Sequence, residues 1–167
     1  DGTWMEQAEL IGDDTAGGDT LGWSVSIDGD QVVVGAPGDT ARGTDSGSAY
    51  VFVRAAGAWT QQARLLASDG AQNDNFGWSV SISGDKVAAT AFADTVKGTD
   101  SGSVYVYVRD GETWSQQANL TASDGKSGDR FGRAVAVSGN NLVAGAPNDT
   151  EKGTDSGSAN SFAAELQ

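Results

Sequence analysis

The chain has 167 residues, of which 23 are acidic and 10 basic, for a formal net charge of −13 at pH 7. This length suits one domain, and the acidity argues against a nucleic-acid partner because binding a phosphate backbone requires Lys and Arg. Cys and His are both missing from the sequence, which excludes disulfides, thiolate chemistry, His-ligated zinc and Ser-His-Asp catalysis. No apolar run approaches the ~18 residues that a membrane helix needs, so we expect no membrane insertion.

The same motifs recur every 55 residues along the chain. Trp4, Trp59 and Trp114 follow this period, and the hexapeptide Gly-Thr-Asp-Ser-Gly-Ser begins without change at positions 43, 98 and 153. Fixed spacing without insertions is the signature of a repeat architecture. We therefore predict one repeat array over residues 1–167, with repeats at about 1–55, 56–110 and 111–167.

Each period carries four segments with strand patterns. Residues 3–10 and their counterpart 59–65 alternate polar and apolar side chains, as expected of an outer strand with one face in water. Residues 77–82 alternate large apolar residues with Ser, which predicts an inner strand. Residues 31–36 are almost continuously apolar and are predicted to be buried on both faces, and 49–54 form a β-branched and aromatic run. No segment has a helical period, so we predict an all-β fold.

Short and long loops alternate between these segments. The links at 28–30 and 55–58 have the length and the glycines of tight hairpins, whereas the loops at 12–20 and 38–47 contain about ten residues. In an antiparallel sheet with up-and-down connections, alternate loops emerge at the same end. We therefore expect both long loops of every repeat to form one surface, here called the long-loop face, which is the candidate for function.

Four strands in about 50 residues, repeated, form the unit of a β-propeller blade. Three motifs recur in order: Phe-Gly-x-Ser-Val at 76–80, Gly-Ala-Pro at 35–37 and 145–147, and Gly-Ser-x-Tyr-Val-Phe at 47–52. With these motifs the whole chain resembles FG-GAP repeats, the blades of the integrin α-subunit head and of many bacterial surface proteins. The resemblance implies an extracellular or cell-surface module for adhesion or protein binding, without enzymatic activity.

The repeats also depart from this pattern. Leu21 replaces the Phe of the first repeat, Thr90-Ala91-Phe92 replaces Gly-Ala-Pro in the second, and Arg133 stands where the other repeats have Trp. The last segment of the third repeat, at 160–164, has lost the aromatic pattern of its counterparts. It is therefore predicted to be a frayed or differently paired strand.

Three four-stranded blades of 55 residues leave a propeller ring open, because propellers have about 4 to 8 blades. The third blade lacks an outer strand, whereas residues 3–10 form an outer-type strand without a blade. Two interpretations follow: two copies join through residues 3–10 of each chain into a six-bladed ring, or the chain is part of a longer propeller. A head-to-tail contact that does not close would instead produce a filament subunit.

Acidic residues recur at the period in the long loops, and they are the candidate site residues. Twelve Asp form four sets: Asp14, Asp69 and Asp124; Asp19, Asp74 and Asp129; Asp39, Asp94 and Asp149; and Asp45, Asp100 and Asp155. With Asp13 and Glu151 they make up 14 of the 23 acids, and only five basic residues accompany them, leaving a formal charge of about −9. Such a field attracts cations and basic partners.

Two interpretations of these acids remain open. They form a hard-cation site, with Ca²⁺ as the natural ion and Asp14/Asp19-type pairs as ligands, or a docking surface for a protein or glycan ligand. Alternatively, each Asp closes an Asx turn on its own backbone. The resemblance implies a calcium loop in the inner hairpin of each blade, but the hairpins at 28–30 and its counterparts are too short to surround an ion. The sequence requires no cofactor, and Ca²⁺ is the candidate ion under the first interpretation.

An enzyme that uses carboxylate pairs, such as a glycan hydrolase, is the third hypothesis. Every periodic Asp has counterparts in the other repeats, whereas a catalytic site needs one asymmetric cluster. The sequence therefore favours a non-enzymatic binding or assembly module. The Trp residues stand at repeat positions, which predicts that they pack between blades rather than bind sugars.

Overall fold

The computed structural model describes residues 2–164, which fold into three antiparallel sheets and no helix. Each sheet follows the chain order of its strands. Sheet 1 contains β1 (Ser24–Asp28), β2 (Gln31–Ala36), β3 (Ser48–Ala55) and β4 (Ala58–Leu65). Sheet 2 contains β5 (Val80–Ser83), β6 (Lys86–Ala91), β7 (Ser103–Asp110) and β8 (Thr113–Leu120). Sheet 3 contains β9 (Ala134–Ser138), β10 (Asn141–Ala146) and β11 (Ser158–Ala163).

The all-β propeller architecture predicted from the repeat is confirmed, and the three sheets form an open array. Each complete sheet takes three strands from one 55-residue period and its fourth strand from the next. Sheet 3 accordingly has three strands within residues 2–164 rather than four. Within the same residues, no helix is long and apolar enough to cross a membrane.

The sheets stack through apolar faces. We call the side of a sheet that packs on the preceding sheet its front face and the opposite side its back face. Val33 and Val51 on the back face of sheet 1 pack against Val87 and Tyr105 on the front face of sheet 2. Sheets 2 and 3 repeat the arrangement around the fully buried Phe131. Middle strands such as β2 are therefore buried on both faces, as their apolar sequence predicts.

The inner strands are joined by a ladder of side-chain to backbone hydrogen bonds. Ser79 Oγ accepts from the Val135 amide at 3.2 Å, and Ser81 Oγ accepts from the Val137 amide at 3.0 Å. Ser26 Oγ of β1 accepts from the Ile82 amide in the same way, at 3.2 Å. The Ser residues that alternate along the inner strands thus satisfy edge amides of the next sheet, which is why these strands can lie so close together.

Two predictions about the ends of the array are wrong. Residues 3–10 form no strand, because they have no neighbouring strand with which to exchange backbone hydrogen bonds. Residues 158–163, expected to be frayed, form β11 and pair with β10 in the register that β3 uses with β2. Backbone hydrogen bonds to β10 are sufficient for this strand, although its aromatic residues are reduced to Phe162.

The prediction that every Trp packs between blades holds for only some of them. Trp114 packs in the cluster between sheets 1 and 2, and Trp78 packs against Phe92 and against Trp23 of the preceding repeat, with the two Trp ring centroids 4.6 Å apart. Trp59 packs on the front face of sheet 1. Trp4 is instead 101% exposed, and Trp23 remains 52% exposed in spite of its contact with Trp78. These two residues lie at the start of the array, where no preceding sheet covers them.

Candidate functional site: the acidic long-loop face

Both long loops of each repeat lie at the same end of the sheets, as the strand order requires. The loop before β1 contacts the loop between β2 and β3, where the Gly38 amide donates to the Asp19 carbonyl at 3.1 Å. The loop between β2 and β3 also reaches the following repeat: the Asn75 amide donates to the Asp45 carbonyl at 2.9 Å. The long-loop face is therefore one continuous surface built from all three repeats.

Half of the candidate Asp residues are buried and have structural hydrogen bonds. Asp19 Oδ2 accepts from the Ala16 amide at 2.7 Å, and the equivalent bonds recur at Asp74 and Asp129. Asp39, Asp94 and Asp149 each accept the amide two residues further along the chain, at 2.9 to 3.0 Å. The second set forms Asx turns, and the first set bonds backwards to the amide three residues earlier in the same loop. A local bond to the residue's own loop therefore accounts for one oxygen of each of these six residues.

Asp45, Asp100 and Asp155 have a backbone role. All three adopt left-handed conformations, with φ of 52°, 52° and 51°. Asn and Asp tolerate this region better than most residues, which accounts for their recurrence at this position. Asp45 and Asp100 also accept amides of the next repeat through their carbonyl groups.

The remaining set, Asp14, Asp69 and Asp124, is exposed and meets the buried set of the same repeat. Tyr50 Oη donates to Asp14 Oδ1 at 2.9 Å and to Asp39 Oδ2 at 3.2 Å, and Arg64 forms ion pairs with both carboxylates. The structure thus brings Asp14 together with Asp39, whereas Asp19 is committed to its own turn. Sequence reasoning missed Tyr50 and Arg64. Counting back from the hairpin places Tyr50 opposite Ala63, and a β-bulge between Val51 and Phe52 shifts the register by one residue, so that Tyr50 lies opposite Arg64.

The charge environment lowers the pKa of Asp39. Burial of this carboxyl opposes ionisation, but hydrogen bonds from Ser48, the Ala41 amide and Arg64 outweigh burial and hold the pKa below its ordinary value. Asp74 behaves in the opposite way: burial raises its pKa despite the bond from the Ala71 amide, and Asp94 and Asp69 raise it further. Ser48, the Ala41 amide and Arg64 together therefore stabilise the ionised form of Asp39.

The three repeats differ in how far their acids are neutralised. Sheet 1 supplies Arg64, and in sheet 2 the same position is Asn119, which donates to Asp69 Oδ2 at 3.0 Å. In the third repeat, carboxylate oxygens of Asp124, Asp149 and Glu151 all lie within 4.8 Å of one another. Three carboxylates at this spacing supply the hard oxygen ligands that Ca²⁺ prefers, so this cluster is the part of the face best suited to a cation.

Fold and site together define a class of protein: an open, propeller-type repeat module with an acidic loop face. The sequence profile of the FG-GAP repeat matches the chain three times, over residues 4–52, 59–107 and 114–162. The chain therefore belongs to the FG-GAP repeat family. No curated protein matches the chain. FG-GAP repeats are typical of extracellular or surface proteins and are generally non-enzymatic.

Proposed function

We propose that this chain is a non-enzymatic extracellular binding or adhesion module and that the acidic long-loop face is its ligand surface. The observation that carries the proposal is the concentration of acidic side chains on one continuous surface, supplied by loops that the sheets hold rigidly. Turn formation explains the six buried Asp residues, but it leaves the exposed carboxylates at Asp14, Asp69 and Asp124 and at Glu151 without a backbone role. Their charge suits a divalent cation or a basic ligand.

The third repeat is the part of the surface where a cation binds first. Asp149 is a buried carboxylate beside the exposed Asp124 and Glu151. The first repeat already contains its own cation, the guanidinium of Arg64. Calcium binding at the third repeat would place a cation where Arg64 stands in the first.

Thermal melting in a calcium titration tests this proposal, because a ligand that binds only the native state raises the melting temperature. We expect a rise at millimolar Ca²⁺ that Asp124→Asn abolishes. Asp14→Asn is the matched control, because the corresponding carboxylate of the first repeat already has Arg64 as its partner. Equal shifts in wild type and Asp124→Asn, or no shift at all, would contradict a calcium site there.

The same variants distinguish binding of a basic protein ligand from binding of calcium. A ligand that docks on the whole face loses affinity in proportion to the number of exposed carboxylates removed, and salt weakens its binding. The affinity for a cation held by one cluster changes only when a carboxylate of that cluster is substituted. Binding of a polylysine peptide at several salt concentrations, measured by calorimetry, distinguishes these two patterns.

A structural subunit is the second candidate function. The observation that favours it is the exposure of apolar side chains at both ends of the array, where the internal repeats bury the same positions.

A further inference from the structure

The two ends of the array expose residues that the internal interfaces bury. On the front face of β1, Val25 is 66% and Ile27 65% exposed, whereas their counterparts Val80 and Ile82 are 6% and 5% exposed. On the back face of β10, Val143 is 46% exposed, whereas its counterpart Val33 is fully buried. The front of sheet 1 and the back of sheet 3 therefore have the composition of an interface between sheets.

The edge of β11 is unpaired within the described residues, and an apolar groove lies beside it. The groove has a volume of about 380 Å³ and runs between β8 and β11, lined by Val106, Leu120, Leu142 and Phe162 among others. At the corresponding place between sheets 1 and 2 lies Trp114, a residue of the fourth strand, whose Nε1 donates to Gln62 Oε1 at 2.8 Å. The groove is thus the empty counterpart of the Trp114 position.

Residues 3–10 have the sequence that belongs in this groove. Trp4 is the counterpart of Trp114 at the 55-residue period, and it is fully exposed. Gln117, which lines the groove, is the counterpart of Gln62 and would accept a hydrogen bond from the Trp4 indole. An amide nitrogen of β11, Asn160 Nδ2, is buried without a partner. In the register of β7 with β8, where Tyr105 pairs with Asn119, position 160 lies opposite Glu9, whose carboxylate is an acceptor.

Residues 3–10 are also placed correctly for this contact. Leu10 packs on the front face of sheet 1, and Gln7 Oε1 accepts from Arg54 at 2.9 Å. The segment therefore lies in front of sheet 1, as β4 lies in front of sheet 2. Only the rest of a preceding sheet is needed to complete the arrangement.

We propose that this preceding sheet is sheet 3 of a second copy of the chain. Residues 3–10 of one copy add to the edge of β11 of the other as its fourth strand, and Trp4 fills the groove. The back face of sheet 3 then covers Val25 and Ile27 of sheet 1. The contact joins head to tail, so it produces a ring of two copies if the rotation closes and a longer series if it does not. The proposal does not depend on ligand binding by the acidic face.

The contact between the two copies differs from the internal interfaces at the inner strand of sheet 3, β9. β9 carries Ala134 and Ala136 at the positions where Ser79, directly before β5, and Ser81, within β5, accept amides of the next sheet. Only Ser138 retains a hydroxyl, opposite the Gly29 amide of the other copy. The junction therefore forms fewer hydrogen bonds than the interior of the array, which makes it reversible and concentration-dependent.

Light scattering behind a sizing column, on the 167-residue chain at several concentrations, tests the association. We expect multiples of the 17.0 kDa chain mass, and at least about tenfold weaker association for Trp4→Ala, which removes the central buried aromatic. Met5→Ala is the matched control, since its counterpart Thr60 is exposed on β4. A monomer at every concentration, or association that Trp4→Ala leaves unchanged, would overturn the proposal.

Two further variants should strengthen the association. A gain in affinity cannot result from loss of folding, so these variants test the interface itself. Ala134→Ser combined with Ala136→Ser restores the missing hydroxyls and should tighten association about tenfold. Glu9→Gln retains an acceptor for Asn160 but removes a charge beside the acids of the third repeat, for a gain of about threefold. Weaker association in both variants would contradict the geometry.

Cross-linking tests the register directly, because the chain has no Cys. A chain carrying Glu9→Cys is mixed with one carrying Asn160→Cys, and oxidation should produce a covalent heterodimer, since opposed side chains lie about 5 Å apart. Ser161→Cys points to the opposite face and should cross-link poorly with the same partner. Equal yields for the positions 160 and 161 would overturn the predicted strand addition.

Discussion

Gly35 and Gly77 are in direct backbone contact between sheets 1 and 2: a Cβ built on Gly35 would lie 1.9 Å from the Gly77 carbonyl oxygen. Gly77 itself adopts a φ of +86°, and a Cβ there would lie 2.2 Å from the Ser48 carbonyl oxygen. The two glycines belong to the Gly-Ala-Pro motif of one repeat and the Phe-Gly motif of the next. The family's two motifs are therefore the two sides of one contact between neighbouring sheets.

Gly35→Ala should destabilise the chain by about 3 kcal/mol, because the added methyl group forces the two backbones apart. The control is Gly145→Ala, at the same repeat position, where no atom lies within 4 Å of the added Cβ. Its effect in the monomer should stay within about 0.5 kcal/mol. Urea unfolding measures both, and similar losses in the two variants would refute the contact.

Asp39→Asn should lower the free energy of unfolding by about 2 kcal/mol at pH 7, since it removes the buried one of the two carboxylates that Arg64 and Tyr50 share. Asp30→Asn removes a carboxylate from an exposed pair with Arg54 and should cost less than about 1 kcal/mol. Because the pKa of Asp39 is lowered in the folded chain, its stabilisation is present above its ordinary value of 3.8. It is lost as the pH falls through the folded value, so the two unfolding curves should converge in acid.

Asp74→Asn should raise the free energy of unfolding, in contrast to Asp39→Asn. The pKa of Asp74 is raised in the folded chain, so the wild type loses stability as the pH rises from 3.8 through the folded value. Asn keeps an oxygen for the Ala71 amide without the buried charge, and a gain on the order of 1 kcal/mol is expected at pH 7. Thermal melts at pH 7 and pH 3 check the sign, since the gain should disappear at the lower pH. A loss at pH 7 would show that the turn requires the charge.

Ser81→Ala should cost about 1 kcal/mol, because it removes the acceptor of the Val137 amide between inner strands. Ser138→Ala removes a hydroxyl from β9, which faces no following sheet within residues 2–164, and should be neutral in the monomer. Amide hydrogen exchange at Val137 provides a local readout, with faster exchange in the first variant only. Unchanged protection would mean that other contacts hold these strands together.

The acidic face could be predicted in part. The alternation of short and long loops predicts at which end of the sheets this face lies. The 55-residue period predicts the twelve Asp residues. The side chains that neutralise the acids of each repeat could not be predicted. Arg64 and Asn119 lie on the fourth strand of their sheets, which belongs to the next period, and sheet 3 has no such strand within residues 2–164. Only the sheet assembled across that boundary shows which carboxylates have a partner.

The sequence by itself determined the repeat, the all-β class, the strand positions and the end on which the long loops lie, because each depends on periodicity within 55 residues. The tertiary structure decided what happens where a repeat lacks a neighbour. Residues 3–10 have a strand pattern and form no strand, whereas residues 158–163 have a degraded pattern and form β11. The physical reason is that a strand is stabilised by hydrogen bonds and packing from its neighbours, and the local sequence does not reveal whether those neighbours are present.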